Sequence, residues 1–264
     1  MSLQGHRARK RFGQNFLHDT NVIQRIINSL KPKEGDRIVE IGPGLGALTE
    51  PLIEAAGKIE VVEIDRDLVE RLQNRFSSDV LQIHSGDALK FDFKEVAGET
   101  DKLRIIGNLP YNISTPLLFH LMEQLDCIQD IHCMLQKEVI ERMAAGPGDK
   151  DYGRLSIMLQ YHCKVTKLFN VGPGAFNPPP KVESAVARLV PHKSPPVKVN
   201  DYKLFSQMVN QAFTQRRKTL RNALKNYLSS EQIEAVGVNP GARPETLSLE
   251  EFAKLSNMSG NTTE

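Results

Sequence analysis

The chain has 264 residues, 40% hydrophobic and 25% charged, with a net charge of only +2. That length allows one large core plus a small second domain, and the near-balanced charge excludes a global field, so any nucleic-acid site must be a local basic patch. No window approaches the ~18 apolar residues of a membrane span, the basic N-terminus is followed by no apolar leader core, and Cys127, Cys133 and Cys163 stand in no C-x-x-C spacing. The expectation is a cytoplasmic protein with reduced thiols, no metal site and no membrane partner.

In chain order, His6, Arg7, Arg9, Lys10 and Arg11 form a basic run before the segment GQNFL, residues 13 to 17. Asp19 and Thr20 can cap a helix whose Val22, Ile23, Ile26, Ile27 and Leu30 share a face, ended at Lys31-Pro32. Residues 37–41 read as a strand running directly into IGPGLGALTE. Gly42, Gly44 and Gly46 sit where that strand turns into a helix over about 47–56, with Gly57 as its C-terminal cap. Residues without side chains let a ligand approach the backbone there. IEVVEID, residues 59–65, is a second strand, with Glu63 placed 21 positions after Gly42 to accept hydrogen bonds from ribose hydroxyls. A third βα unit through VLQIHSGDA places Asp87 at the next strand end.

The fourth strand, RIIGNLPY at 104–111, breaks at Gly107 and ends in residues of little conformational freedom. Pro110 removes a backbone donor and biases Leu109 to extended geometry, so an Asn108 amide, free carbonyls and the Tyr111 ring form a polar, stackable rim. It suits a planar group with an exocyclic amine. Ser114-Thr115-Pro116 starts the next helix, and further strands at 131–135 and 164–171 are separated by helices near 137–145 and 154–162. GPGAFNPPPK, residues 172–181, is too rich in Gly and Pro for regular structure and carries one aromatic, Phe176. After a last strand at 184–190, the linker PHKSPPVKVN marks the domain boundary. Helices are expected at 201–213, 216–228, 230–236 and 249–256. The alternation of strands and helices predicts an α/β, doubly wound, mostly parallel sheet over 1–192 and a small all-α domain over 200–264.

Gly42, Gly44 and Ala47 also satisfy the G-x-G-x-x-A form used for dinucleotides. No hydride-handling acid or base follows Asp87, however, whereas a glycine loop, a ribose acid and an adenine acid suit a nucleoside-like ligand without a pyrophosphate. S-adenosylmethionine fits. In the last domain, Arg216, Arg217, Lys218, Arg221 and Lys225 occur with no acid between them. On a continuous helix, 217, 221 and 225 would line one face while Leu220, Ala223, Leu224 and Leu228 turn to the core, which reads as a phosphate-contacting surface.

GQNFL, EIGPGLGALT, VVEID, GDA, GNLPYNIST and AFNPPPKVESAVARL stand in the order expected of the ribosomal RNA adenine N6-dimethyltransferases. The chain resembles the kasugamycin-resistance type, which modifies small-subunit RNA, and is similar also to the large-subunit erythromycin-resistance methylases. The resemblance implies a Rossmann-like class I S-adenosylmethionine-dependent methyltransferase. Its partners would be the small ribosomal subunit and its rRNA, and it would work as a monomer. It implies that Asn15 and Leu17 cover the cofactor and Gly42 lies under it, next to Gly44. Glu63 would hold the ribose and Asp87 the adenine of the cofactor, with Asn108 between cofactor and target base. Tyr111 and Phe176 would sandwich a flipped adenine whose N6 protons bond to Asn108 and to the Leu109 or Pro110 carbonyl. Two adjacent adenosines near the 3′ end of small-subunit rRNA would receive the methyls. An assembly factor with secondary catalysis is the alternative from another class.

Overall fold

The computed structural model describes residues 14–98 and 102–260. The basic run at 6–11 lies outside them. The described chain divides into two compact units, one built from residues up to Ile140 with Thr166–Pro191, the other from Glu141–Val165 and residues from His192 on. One division falls after Pro191, and Glu141–Val165 belong to the unit that carries the C-terminal helices.

In the first unit, β1 (Phe16–Leu17) precedes α1 (Thr20–Leu30), whose N-cap Asp19 accepts hydrogen bonds from the backbone N–H groups of Asn21 and Val22. Its stripe of Val22, Ile26, Ile27 and Leu30 is buried. Then follow β2 (Ile38–Ile41), α2 (Thr49–Ala56), β3 (Ile59–Glu63), α3 (Arg66–Arg75), β4 (Leu81–Ser85), β5 (Leu103–Asn108), α4 (Ser114–Met122), β6 (Ile128–Gln136) and α5 (Lys137–Ala144). After α6 (Arg154–His162) come β7 (Cys163–Val171), β8 (Phe176–Asn177) and β9 (Ser184–Pro191). A seven-stranded sheet has the order β4-β3-β2-β5-β6-β9-β7. β4 through β6 pair in parallel, and β9 returns antiparallel to β6.

The chain winds outward from β2 through β3 to β4, then crosses back to β5 and β6. β2 and β5 therefore flank the switch point, where an open parallel sheet leaves a crevice beyond its strand ends. Both strands are buried and, apart from Glu40 in β2 and Arg104 and Asn108 in β5, apolar, as suits a strand covered on two faces.

Two expectations about this unit are corrected. The unit that begins at β4 has no α-helix after it among the described residues, only a 3-10 turn at Phe93–Glu95. The Gly/Pro segment is not wholly irregular: Phe176–Asn177 pairs antiparallel with Phe16–Leu17, a partner about 160 residues away that local composition cannot reveal.

The second unit carries α6, α7 (Tyr202–Thr214), α8 (Leu220–Ala223), α9 (Ser230–Ala235) and α10 (Leu249–Gly260). The continuous helix expected over 216–228 is absent. Helix α7 ends at Gln215, a turn returns the Lys218 N–H to the Gln215 carbonyl, and α8 spans four residues. The reason is tertiary. The Leu220 and Arg221 N–H groups bond to the carbonyls of Ala242 and Pro240, at 2.9 and 3.1 Å, instead of continuing a helix from 216.

Candidate active site

Beyond the C-terminal ends of the parallel strands lies a cavity of ≈ 330 Å³, walled by the 14–17 segment, the glycine loop, Glu63 and Ile64, the 86–89 turn and residues 108–113. It is built from the ends of β2, β3, β4 and β5, the places where the sequence put its glycines, two acids and the NLPY segment. Asn15, Leu17, Gly42, Gly44, Glu63, Asp87, Asn108, Leu109, Pro110 and Tyr111 all line it.

Each wall has a local cause. The loop after β2 holds φ of +68° at Gly42 and +58° at Gly44, a region that side-chain-bearing residues avoid. A Cβ at Gly44 would in addition stand 3.1 Å from the Phe16 ring. At Gly107 the demand is steric: a Cβ would run into the Ile41 carbonyl oxygen of the neighbouring strand. The strand break seen in the sequence is thus a close approach of β5 to β2.

Glu63 is buried, and its carboxylate accepts from the N–H groups of Asp65 at 2.9 Å and Gly44 at 3.4 Å. Burial pushes its pKa above the ordinary 4.5, against those backbone hydrogen bonds. Asp87 accepts from the Leu89 N–H at 3.0 Å through one oxygen. The Asn108 amide nitrogen donates to the Asn15 carbonyl at 3.0 Å. A carbonyl can face only the NH2 side of an amide, so this contact fixes which end of the group is the acceptor, Oδ1. The Pro110 carbonyl accepts from the Ile113 N–H at 3.2 Å, and Leu109 and Pro110 both line the cavity. Tyr111 bonds through its hydroxyl to Ser184 Oγ at 2.6 Å, and burial raises its pKa, so it is a neutral phenol.

Phe176 is the predicted residue that the structure does not bring to the cavity. It is 2% exposed and packs in the core cluster with Leu17, Met134 and Val186, held there by the β1–β8 pairing. Residues 216–225 likewise do not make the expected single-faced helix. Arg216, Arg217, Lys218, Arg221 and Lys225 are all exposed, but Arg216 is tied to the Lys150 carbonyl at 2.8 Å and lies 3.9 Å from Glu245.

The residue that sequence reading missed is Glu40. It lies in β2 directly before the glycine loop, lines the cavity and is almost fully buried. Thr49 Oγ1 donates to it at 2.6 Å. Burial, opposed by that hydrogen bond and assisted by the charge of Glu63, pushes its pKa up to about 7. The available signal was an acid inside an otherwise apolar strand, a costly placement that ordinary core patterning does not produce. Because the folded pKa of about 7 exceeds the ordinary 4.5, the native state holds this proton more tightly than the unfolded chain. The associated stability is fully present below about pH 4.5 and is lost as pH rises through 7, by about 3 kcal/mol. Glu40→Gln is expected to flatten that decline, read as urea-unfolding free energy between pH 5 and 8; an unchanged slope would assign the decline to other groups.

The comparisons with known proteins decide the family. The family model described as "Ribosomal RNA adenine dimethylase" matches residues 5–260. The chain belongs to that family. It is 58% identical over 252 residues to the protein named ribosomal RNA small subunit methyltransferase A of Pseudomonas syringae pv. tomato, covering 95% of this chain and 94% of that one. The protein of the same name from Vibrio parahaemolyticus is 55% identical over 254 residues, 96% and 94% of the two chains. Among solved structures, a dimethyladenosine transferase from Plasmodium falciparum superposes with a TM-score of 0.78 at 28% identity, covering 93% of this chain and 98% of that one. The 23S rRNA methyltransferase ErmE superposes at 0.74 with 24% identity over 93% and 100%, a likeness of fold. The fold is that of a class I S-adenosylmethionine-dependent methyltransferase, and members of the family methylate adenine in ribosomal RNA. Among the described residues no helix is long and apolar enough to cross a membrane.

The residues present fit this donor. A glycine loop free of side chains and a buried carboxylate beside it suit a ribose, and Asp87 has a second oxygen to offer an adenine amine. Ile64, 46% exposed at the cavity wall, supplies an apolar surface for a planar base.

Proposed function

We propose that this chain dimethylates N6 of two adjacent adenosines near the 3′ end of small-subunit ribosomal RNA, with S-adenosylmethionine as donor. The observation that carries the reading is the Asn108 amide, held through its nitrogen by the Asn15 carbonyl at 3.0 Å in a cavity lined also by Leu109, Pro110 and Tyr111. The amide oxygen and a neighbouring backbone carbonyl would match two N–H donors on one exocyclic amine.

The donor supplies an electrophilic sulfonium methyl. The chain's part is positioning. The N6 lone pair is delocalised into the purine ring, so the nitrogen is a poor nucleophile, yet its protons need no strong base before attack. Hydrogen bonds from one N6 proton to Asn108 Oδ1 and from the other to a backbone carbonyl of Leu109 or Pro110 favour a pyramidal nitrogen and aim its lone pair along the line of displacement. The N–C bond forms as the S–C bond breaks, and the surplus N6 proton is lost to solvent afterwards. The same two dipoles stabilise the positive charge that grows on nitrogen. Tyr111, neutral and held at its hydroxyl, offers a ring face to the extruded base. After the first transfer one N–H remains, and the second requires the amine to rotate within the same rim.

RNA engagement is assigned to the exposed cations of the second unit. Arg217, Lys218, Arg221 and Lys225 are presented by a turn and a short helix, and exposed guanidinium and ammonium groups meet phosphates by counterion release. Arg216, already bonded to Lys150, braces the turn. Charge reversal at Arg217 and Arg221 together is expected to weaken binding to small subunits and to reduce the slope of log affinity against log salt by about 1 for each phosphate no longer neutralised. A slope equal to that of the unaltered protein would exclude these two residues from the interface.

The activity is tested by incubating the protein with undermethylated small subunits and labelled donor, then mapping dimethyladenosine by mass spectrometry of nuclease fragments. Label in adjacent adenosines near the RNA 3′ end is the expected result. No label in small-subunit RNA, with label transferred to undermethylated large-subunit RNA offered in a parallel reaction, would transfer the protein to the other branch of its fold relatives.

A further inference from the structure

We propose that Ser184 is a positioning residue for the target base, acting through Tyr111; the inference rests on the reading of Tyr111 as the stacking surface. Ser184 is the first residue of β9 and is fully buried, 0% exposed. Its hydroxyl lies 2.6 Å from the Tyr111 hydroxyl. A serine side chain at a strand start has no packing duty that alanine could not meet, whereas a buried hydroxyl without a partner is costly. The Tyr111–Ser184 pair satisfies both hydroxyls at once.

The pair sits on a rigid frame. Ser184 lies opposite Gln136 in the β6–β9 pairing, and the residue before it is clamped twice: the Lys137 N–H donates to the Glu183 carbonyl at 2.9 Å, and Lys137 Nζ meets Glu183 Oε2 at 2.7 Å. At the other end, the Tyr111 carbonyl accepts from Ser114 Oγ at 3.0 Å, at the start of α4. The ring is thus fastened at its backbone and at its hydroxyl. A tyrosine fastened only at the backbone can turn about both side-chain torsions. With the hydroxyl bonded to a buried strand, the plane of the ring is set relative to β5 and its Asn108 rim.

A fixed ring plane matters more in the second methyl transfer than in the first. The unmodified amine can be aligned by its two bonds to the rim, whereas the monomethylated amine keeps one, and stacking must supply more of the alignment. Loss of the Ser184 hydroxyl should therefore let N6-monomethyladenosine accumulate.

The test uses the full chain, undermethylated small subunits, and Ser184→Ala, Tyr111→Phe, the double variant and Tyr111→Ala. Ser184→Ala and Tyr111→Phe are each expected to slow methyl transfer about tenfold and to raise the monomethyl-to-dimethyl ratio. The double variant should be no slower than either single one, because both remove the same bond. Donor affinity, measured calorimetrically, should stay near that of the unaltered protein, and any fall in melting temperature from the hydroxyl left unpartnered should be no smaller in the single variants than in the double one. A Ser184→Ala protein that loses stability and donor affinity in step with activity, or single effects that multiply in the double variant, would overturn the inference. Tyr111→Phe probes the bond without touching the buried strand, so a poorly folded serine variant does not decide the matter. If Tyr111→Ala is impaired while Tyr111→Phe and Ser184→Ala are fully active with normal product ratios, the bond has no positioning role and stacking stands. A fully active Tyr111→Ala would remove the stacking reading itself.

Discussion

Asn108→Ala is expected to slow methyl transfer at least ~100-fold while leaving donor affinity within a few-fold, the loss seen when a preorganised transition-state dipole is removed. The physical reason lies in two bonds made by one side chain. Its nitrogen is spent on the Asn15 carbonyl, and its oxygen is held at the rim. Alanine deletes the acceptor and also leaves the Asn15 carbonyl without that donor, so the 14–17 segment loses a tie to β5. The donor's ribose and adenine contacts, assigned to Glu63 and Asp87, are untouched. Asn108→Asp sharpens the test. An aspartate would set a carboxylate oxygen against the Asn15 carbonyl, and that repulsion should displace the side chain, so restoring an oxygen is not expected to restore turnover. Labelled-methyl transfer to undermethylated subunits gives the rate and titration calorimetry the donor affinity. Turnover unchanged in Asn108→Ala would remove Asn108 from the reacting centre.

The second large effect is on stability. Asp130→Ala is expected to cost about 3–5 kcal/mol, the range for breaking a buried ion pair from one side. Asp130 is fully buried in β6 and grips Arg104 by two hydrogen bonds, Oδ1 to Nε and Oδ2 to an Nη, both 3.0 Å. Arg188 reaches the same Oδ2 at 3.1 Å. Burial pushes the Asp130 carboxyl up, but Arg104 outweighs it through hydrogen bonding and charge, with help from Arg188, and holds it below the usual carboxylate range. Arg104 also bonds Asp36 at 2.7 Å and the Leu30 carbonyl at 2.7 Å, tying β5 to the end of α1. Removing Asp130 leaves most of a buried guanidinium with Asp36 as its one carboxylate partner among the described residues. Arg188, whose side chain is 44% exposed, can return to water. Asp130→Ala combined with Arg104→Met should recover part of the loss, because no uncompensated buried charge remains. Urea unfolding followed by circular dichroism reads the effect. A cost below about 1 kcal/mol would mean that Asp36 and the backbone carbonyls suffice to hold Arg104.

The two predictions concern opposite ends of one strand. β5 is pinned near its start by Arg104 and presents Asn108 at its finish. Gly107 lets it lie against Ile41 closely enough to place Asn108 beside the glycine loop. The rigidity of one end is what makes the precision of the other possible.

Much of this was legible in the residues. Asp19 capping α1, the apolar runs of β2, β3 and β5, the glycine loop, and the acids at successive strand ends all follow from rules that act over a few positions, and the structure places Glu63, Asp87 and Asn108 around one cavity. The misreadings share a cause. The 216–228 segment has helical periodicity, but the carbonyls of Pro240 and Ala242 take its backbone donors. Phe176 looks like a loop aromatic free to stack, but its segment pairs with Phe16–Leu17 and turns the ring into the core.

What the sequence by itself determined was the list of elements, their order and the chemistry gathered at the strand ends, because hydrophobic period, caps and turn residues are local. What only the tertiary structure decided was the partner of each polar atom: Asn15 for Asn108, Ser184 for Tyr111, Thr49 for Glu40, Asp130 for Arg104. Those partners lie from 9 to 93 positions away along the chain. A hydrogen bond spanning such a separation satisfies burial without imposing any period on the residues between its ends, so no pattern in one dimension announces it.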